Sequence, residues 1–186
     1  MSQKLPPCGI YRTVSQIGEV PAGQLVYFHN HGDPGPGVYL PERWAANKAR
    51  FQARGHVLEQ PDRAGQVLRP LSPEGFYRVA EPFHCCDQKC RAFEIDELVQ
   101  LGYDGQATPL LFSPELSAAG MEIPETGTRI DTSRMEKLRL LKVPTRAPST
   151  KDDDYDPGAL PPHVHELATC GLRRSSTSEG TPRCSK

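Results

Sequence analysis

Short hydrophobic runs separated by polar, proline and glycine residues recur through the first 143 residues, a pattern typical of β-strands rather than of long helices. Runs rich in β-branched and aromatic residues predict strands at 10–14, 24–29, 37–40, 76–80, 98–103 and 107–112. Asp104-Gly105 between the last two runs indicates a hairpin, and we expect the 37–40 strand to return antiparallel to the 24–29 strand. The pattern therefore predicts a mainly β (α+β) chain, made of small antiparallel sheets or a barrel.

Two short helices interrupt this pattern. Pro41 stands where a first-turn proline belongs and Gly55 where a glycine ends a helix, so a helix is predicted between them. One face of that helix would carry Trp44, Lys48 and Phe51. The other face would carry Arg43, Asn47, Arg50 and Arg54, and its arginines Arg43, Arg50 and Arg54 are candidate binding residues for phosphate groups. The alternative is that they form an ordinary solvated face.

The second helix is predicted to begin at Ser133, whose hydroxyl would form a capping box with Glu136. Its apolar stripe would consist of Met135, Leu138 and Leu141.

A proline–glycine turn recurs along the chain and suggests an internal repeat. Pro21-Ala22-Gly23, Pro73-Glu74-Gly75 and Pro124-Glu125-Thr126-Gly127 follow one another at intervals of about 52 and 51 residues. Duplicated SH3-like modules would explain this spacing. Coincidental turn chemistry in a chain with 19 prolines and 16 glycines would explain it as well.

Composition changes sharply near Pro144. Residues 144–186 contain six prolines, the charged run at 151–156 and few large aliphatic side chains. Such a segment buries too little apolar surface to offset the entropy of ordering it, so a disordered tail is predicted. Residues 1–143 are then predicted to form one β-rich globular domain. The alternative is that this domain consists of two sub-units, at 9–68 and 69–143.

The overall charge argues against several classes of function. With 22 basic and 23 acidic residues the net charge is −1, which excludes a generally basic nucleic-acid-binding protein. No segment approaches the roughly 20 apolar residues of a membrane span, and the first residues lack the apolar core of a secretory signal. We therefore expect a cytoplasmic protein that binds another protein, in an oligomeric state that the sequence leaves open.

Three of the six cysteines crowd into the segment His84-Cys85-Cys86-Asp87-Gln88-Lys89-Cys90. Thiolates and imidazoles are the ligands that zinc prefers, so His84, Cys85, Cys86 and Cys90 are candidate ligands of a structural zinc ion. Steric crowding suggests that only one of the adjacent Cys85 and Cys86 would bind the ion, and Lys89 and Arg91 would favour the thiolate form. Further ligands would come from His29, His31 and Cys8. The alternatives are packed cysteines without a ligand role, or a redox or nucleophilic cysteine.

A second candidate site lies in Phe28-His-Asn-His-Gly-Asp-Pro-Gly-Pro-Gly37. His29 and His31 are two residues apart at a strand end, so their rings are expected to lie on one side. The segment resembles a local motif of the RadC branch of the JAB/MPN metalloprotease-like family. That resemblance implies zinc held by His29, His31 and a later aspartate, with an upstream glutamate as general base. It covers about ten of the 186 residues, and Leu40 stands at the position of the aspartate.

The sequence contains no complete catalytic centre: it has no nucleophile with its base, no full metal shell and no cofactor loop. We therefore predict a non-catalytic binding or assembly protein, an adaptor or structural subunit, with a structural zinc at His84–Cys90. The alternative is a zinc-dependent hydrolase that uses His29 and His31 with a thiol or carboxylate from a distant segment.

Overall fold

The computed structural model describes residues 5–31 and 35–144. Within them the chain is mainly β, with antiparallel sheets and short helical turns, as the hydrophobic pattern predicts. None of the helices in this part of the chain is long and apolar enough to span a membrane. The predicted tail, apart from Pro144, lies outside the described residues.

The first half of the chain contains seven strands: β1 (Gly9–Thr13), β2 (Leu25–His29), β3 (Gly37–Tyr39), β4 (Pro41–Ala45), β5 (Lys48–Phe51), β6 (His56–Val57) and β7 (Leu68–Pro70). A 3-10 helix (Pro61–Arg63) and the one-turn helix α1 (Ala64–Val67) connect β6 to β7. Five of the strands form an open antiparallel sheet in the order β6-β3-β2-β1-β7, while β4 and β5 form a separate hairpin. We call this half the first module.

The second module contains nine strands: β8 (Gly75–Val79), β9 (Phe83–His84), β10 (Ala92–Phe93), β11 (Leu98–Tyr103), β12 (Pro109–Phe112), β13 (Glu115–Ser117), β14 (Gly120–Glu122), β15 (Thr128–Arg129) and β16 (Leu138–Leu140). A 3-10 helix (Thr132–Lys137) precedes β16. The main sheet is again open and antiparallel, in the order β15-β12-β11-β8-β16. Two hairpins, β9–β10 and β13–β14, stand outside it.

The two main sheets have the same strand order, so the chain is a structural duplication. Tyr11 pairs with Val26 in the first sheet, and Tyr77 pairs with Val99 in the second. The Tyr11 hydroxyl donates to the carbonyl of the residue four positions earlier (2.7 Å), and the Tyr77 hydroxyl does the same (2.8 Å). In sequence, the equivalent segments are Pro-Cys-Gly-Ile-Tyr-Arg at 7–12 and Pro-Glu-Gly-Phe-Tyr-Arg at 73–78.

The repeat of about 52 residues predicted from proline–glycine turns is wrong. Gly23 leads into the second strand of the first module, whereas Gly75 opens the first strand of the second module. Gly127 corresponds instead to Gly55. A Cβ on Gly127 would lie 2.8 Å from the ring of Phe112, and a Cβ on Gly55 would lie 2.8 Å from the ring of Tyr39. Such turns precede several strands of each module, so turn residues alone do not identify equivalent positions.

The helix predicted between Pro41 and Gly55 is a β-hairpin. Ala46 and Asn47 both have positive φ (49° and 62°), the conformation of a two-residue hairpin turn, and β4 pairs antiparallel with β5. The two predicted helical faces therefore do not exist; Arg43 lies opposite Arg50, and Arg54 follows β5. The helical spacing of its apolar residues did not determine the structure, because this segment packs as a hairpin on the second module and such tertiary contacts override local preference.

The second predicted helix is a 3-10 helix (Thr132–Lys137) that begins after Asp131 without any side-chain cap. The predicted capping box of Ser133 and Glu136 is therefore absent from it. Leu138 belongs to β16, whose pairing with Val79 on β8 ends the helical turn.

The buried residues form two clusters that share strand β2. Val26 and Phe28 face the core of the first module, while Leu25 and Tyr27 face a larger cluster that includes the second module's core. Every residue of β2 is consequently buried. Since alternate residues of a strand point to opposite faces, this strand is covered on both sides by the packing of one module on the other.

Candidate metal centres

The cysteine-rich segment is an insertion in the second module. In the first module Ile17 bridges Val20 across only two residues. The corresponding pair in the second module is Phe83 and Phe93, with residues 84–92 between them. The duplication thus shows that the segment with Cys85, Cys86 and Cys90 is additional to the shared fold, which makes it a candidate for a separate role.

The three thiols of this insertion converge. The Sγ atoms of Cys85 and Cys86 are 3.6 Å apart, and those of Cys86 and Cys90 are 3.8 Å apart. Zn–S bonds of about 2.3 Å in a tetrahedral site separate two sulfurs by about 3.8 Å. All three sulfurs lie within 4.8 Å of one another, so the group has the spacing of a zinc site.

Both adjacent cysteines belong to the group that could hold an ion, whereas we expected only one of them to bind it. The paired region of β9 ends at His84, and the chain turns from Cys85 onward. Neighbouring side chains of a turn need not point to opposite sides, as they do in an extended strand. His84 itself is exposed, pairs with Ala92, and is not a member of the thiol group.

The backbone of the insertion favours a thiolate at its centre. The pKa of Cys86 is lowered chiefly because the backbone N–H of Cys90 donates to its sulfur. The pKa of Cys90 is raised, first by its hydrogen bond with Cys86 and then by the negative charge there. Arg91, which we expected to favour the thiolate, instead donates to Ser113 (2.7 Å) and lies over the Phe93 ring. A bound cation would remove the repulsion that keeps Cys90 protonated.

An ion pair ties the insertion to the rest of the second module. Arg134 of the 3-10 helix lies 2.9 Å from the carboxylate of Asp87. The N–H of Asp131 also donates to the carbonyl of Cys85 (3.0 Å). The thiol group is therefore positioned by the segment that leads into β16.

A second group consists of Cys8, His29 and His31. Antiparallel pairing of Gly9 with Phe28 places Cys8 beside His29. The Cys8 sulfur lies 3.3 Å from Nδ1 of His29 and 3.6 Å from Nδ1 of His31. A tetrahedral zinc site separates a sulfur and a ring nitrogen by about 3.6 Å. These atoms too lie within 4.8 Å of one another.

The surroundings of this second group differ from those of the thiols. His29 is buried and His31 is exposed, with their ring centroids 4.1 Å apart on one side, as their spacing predicts. The Cys8 sulfur accepts the backbone N–H of Asn30 (3.4 Å) and donates to the Asn30 side-chain oxygen (3.1 Å). The Asn30 side-chain amide also donates to the carbonyl of Pro6 (3.0 Å) and holds the N-terminal segment against the site.

The two groups are separate, so Cys8, His29 and His31 do not complete the thiol site as we had expected. Each group supplies three soft or borderline donors with the spacing that zinc requires. Sequence reasoning named Cys8, His29 and His31 together only as further ligands of the thiol site; the register of β1 against β2, which makes them a group of their own, comes from the structure.

A partly buried carboxyl group was also missed. Glu74 occupies the position in the second module that Cys8 occupies in the first, directly before the first strand. Its carboxylate oxygens accept the N–H of Ala49 from the other module, at 3.1 and 3.2 Å. Burial raises the pKa of Glu74 to about 7, against the smaller lowering effect of that hydrogen bond. This is a titratable group within the contact between modules.

No family model, curated protein or solved structure matches the chain. The resemblance to the RadC branch thus remains confined to the segment around His29 and His31. The chemistry of this protein has to be argued from its own geometry.

Proposed function

We propose that this protein is a non-catalytic binding and assembly protein whose second module is stabilised by a zinc ion at Cys85, Cys86 and Cys90. The observation that carries the proposal is the convergence of three thiols in a segment that the duplicated fold lacks. An insertion held by a strand pair of only two residues on each side has little packing of its own. A metal ion would supply the missing constraint, as structural zinc does in small domains.

Three protein ligands leave a fourth position of the ion open, but the type of these ligands favours a structural role over a catalytic one. Three thiolates carry more negative charge than a Zn²⁺ ion neutralises, which weakens its ability to acidify a bound water. The thiol group also contains no imidazole or carboxylate that would act as a base. The expected consequence of metal binding is therefore an ordered surface loop available to a protein partner.

The experiment compares Cys86→Ser and Cys90→Ser with Cys184→Ser, a matched control outside the described residues. Zinc content is measured by elemental mass spectrometry on the full chain without a histidine tag, and unfolding by calorimetry. We expect both insertion variants to lose one zinc equivalent and to melt at lower temperature, while the control matches the parent. Parent-like zinc content and melting in both variants would overturn the proposal.

A zinc-dependent hydrolase is the second candidate function, favoured by the position of Cys8 beside His29 and His31. These residues would hold zinc through one sulfur and two ring nitrogens, and a catalytic zinc keeps a further position for water. If this function is correct, the zinc-loaded chain hydrolyses peptide or ester substrates and His31→Ala abolishes the activity. A zinc-loaded chain that is inactive on both substrate classes would exclude it.

A further inference from the structure

The hairpin β13–β14 is the counterpart of the hairpin β4–β5. Each follows the third strand of its module's sheet, turns through two residues and precedes the next strand of that sheet. Ala45 pairs with Lys48 next to one turn, and Ser117 pairs with Gly120 next to the other. Counting outward from the turns, Leu116 and Met121 correspond to Trp44 and Ala49.

In the first module this hairpin makes the contact with the other module. The Trp44 indole N–H donates to the Tyr103 carbonyl (2.7 Å), and the amide of Asn47 donates to the buried Gln100 (3.1 Å). Gln100 in turn donates to the carbonyl of Ala46 (2.8 Å). The hairpin is thus, beside strand β2, an element through which one module binds the other.

Its counterpart is exposed. Every strand residue of β13–β14 is exposed, and Leu116 and Met121 retain 88% and 55% of their accessible surface. Large apolar side chains this exposed on a paired strand are a feature of binding surfaces. Among the described residues, Met121 lines an open cavity with Trp44 and Gln100, while Leu116 is left almost fully exposed.

The charges on the two hairpins identify a partner. Arg43 lies directly opposite Arg50 on β4–β5, and at the corresponding positions of β13–β14 Glu115 lies opposite Glu122. Like charges opposite each other destabilise a strand pair. Among the described residues none of these four side chains forms an ion pair, although Glu122 accepts a hydrogen bond from Ser117 (2.7 Å) and Arg50 acts electrostatically on Glu74.

We propose that a second copy of this chain binds here, with the Glu115/Glu122 pair of one copy against the Arg43/Arg50 pair of the other. The contact relieves the repulsion within both pairs and leaves an opposite hairpin available on each copy. It joins unlike hairpins of the two copies: pairing both hairpins at once closes a two-fold dimer, and pairing one at a time builds a ring or a longer chain. This inference rests on the proposed assembly role and names its partner, but it does not depend on zinc.

The test uses two charge reversals in the full chain, Glu115→Arg with Glu122→Arg and Arg43→Glu with Arg50→Glu. Sedimentation velocity over a range of concentrations should show that the parent associates, and more weakly as salt is added. Each reversal should weaken self-association by about tenfold or more. An equimolar mixture of the two variants should associate again, because acidic hairpins then meet basic ones.

A matched control carries Glu59→Arg with Asp62→Arg, the same change of charge at exposed positions elsewhere, and should associate as the parent does. A monomeric parent at every concentration, or unchanged association after either reversal, would overturn the inference. The Cys90→Ser variant separates the two proposals. If Cys90→Ser binds no zinc but still associates, the hairpin contact is supported independently of the zinc site. If the charge-reversal variants lose zinc, the two sites are not independent and the inference is contradicted on that point.

Discussion

At the residue scale, one backbone position has two different chemical uses in the two modules. Cys8 and Glu74 each stand between a proline and a glycine, directly before the first strand. Cys8 turns toward His29 and His31, whereas Glu74 accepts the N–H of Ala49 across the module contact. The duplicated backbone therefore places a side chain at a functionally useful point, and the residue type decides what it does there.

The raised pKa of Glu74 predicts a pH-dependent stability. Since the folded-state pKa is about 7 and the ordinary value is 4.5, the folded protein retains a proton that the unfolded chain releases. This contribution is fully present below about pH 4.5 and is lost as the pH rises through about 7; it amounts to roughly 3 kcal/mol. Glu74→Gln keeps an acceptor for Ala49 and should remove the dependence. Urea unfolding at pH 5 and pH 8 measures it.

The exposed residue Glu94 provides the control, since Glu94→Gln should leave the parent's pH dependence unchanged. The Glu74→Gln variant measures how the other titrating groups change the unfolding free energy between pH 5 and pH 8. If the parent shows the same change as this variant, Glu74 does not contribute and the prediction is contradicted.

Cys8 itself allows the second metal group to be tested separately. Because Cys8 and the thiol insertion belong to different modules and different groups, Cys8→Ser should reduce metal binding at His29 and His31 only. Titration with zinc in competition with a chelator should show one weaker site and one parent-like site. A variant that loses both sites together would mean that the two groups are coupled.

At the element scale, the sequence predicts strands well and the β4–β5 hairpin poorly. The runs of apolar, β-branched and aromatic residues that form β1, β2, β8, β11 and β12 pair with neighbouring strands of their own sheet, so the local pattern suffices to predict them. The hairpin instead depends on contacts with residues more than fifty positions away, such as Gln100. The Trp44 indole likewise donates to the distant Tyr103 carbonyl, and Phe51 packs against Tyr27 of β2. No local periodicity contains such contacts.

The fit of this hairpin on β11 predicts the effect of one added methyl group. A Cβ at Gly102 would overlap the carbonyl oxygen of Asn47, whereas a Cβ at Gly65 in α1 would meet nothing within 4 Å. Gly102→Ala should therefore destabilise the protein by about 2 kcal/mol or more, and Gly65→Ala should be neutral or slightly stabilising. Thermal unfolding compares the two. Equal melting temperatures would contradict the close approach of hairpin and strand.

At the scale of the whole molecule, the duplication explains both what the sequence could predict and what it could not. The mainly β antiparallel class follows from composition and alternation. The correct repeat was hidden because the cysteine insertion shifts its spacing from 66 residues between Tyr11 and Tyr77 to 73 between their partners Val26 and Val99. The candidate ligands His29, His31, Cys85, Cys86 and Cys90 were visible as residue types. Their division into two groups required the strand register.

Zinc at the thiol insertion is the central claim, and a difference in metal content tests it most directly. Elemental mass spectrometry would compare the untagged parent with the triple variant Cys85→Ser, Cys86→Ser and Cys90→Ser, prepared side by side. We predict one zinc fewer per chain in the triple variant, because the proposed site takes its ligands from the three converging sulfurs. Equal zinc content in the two proteins, or no zinc in the parent, would contradict it.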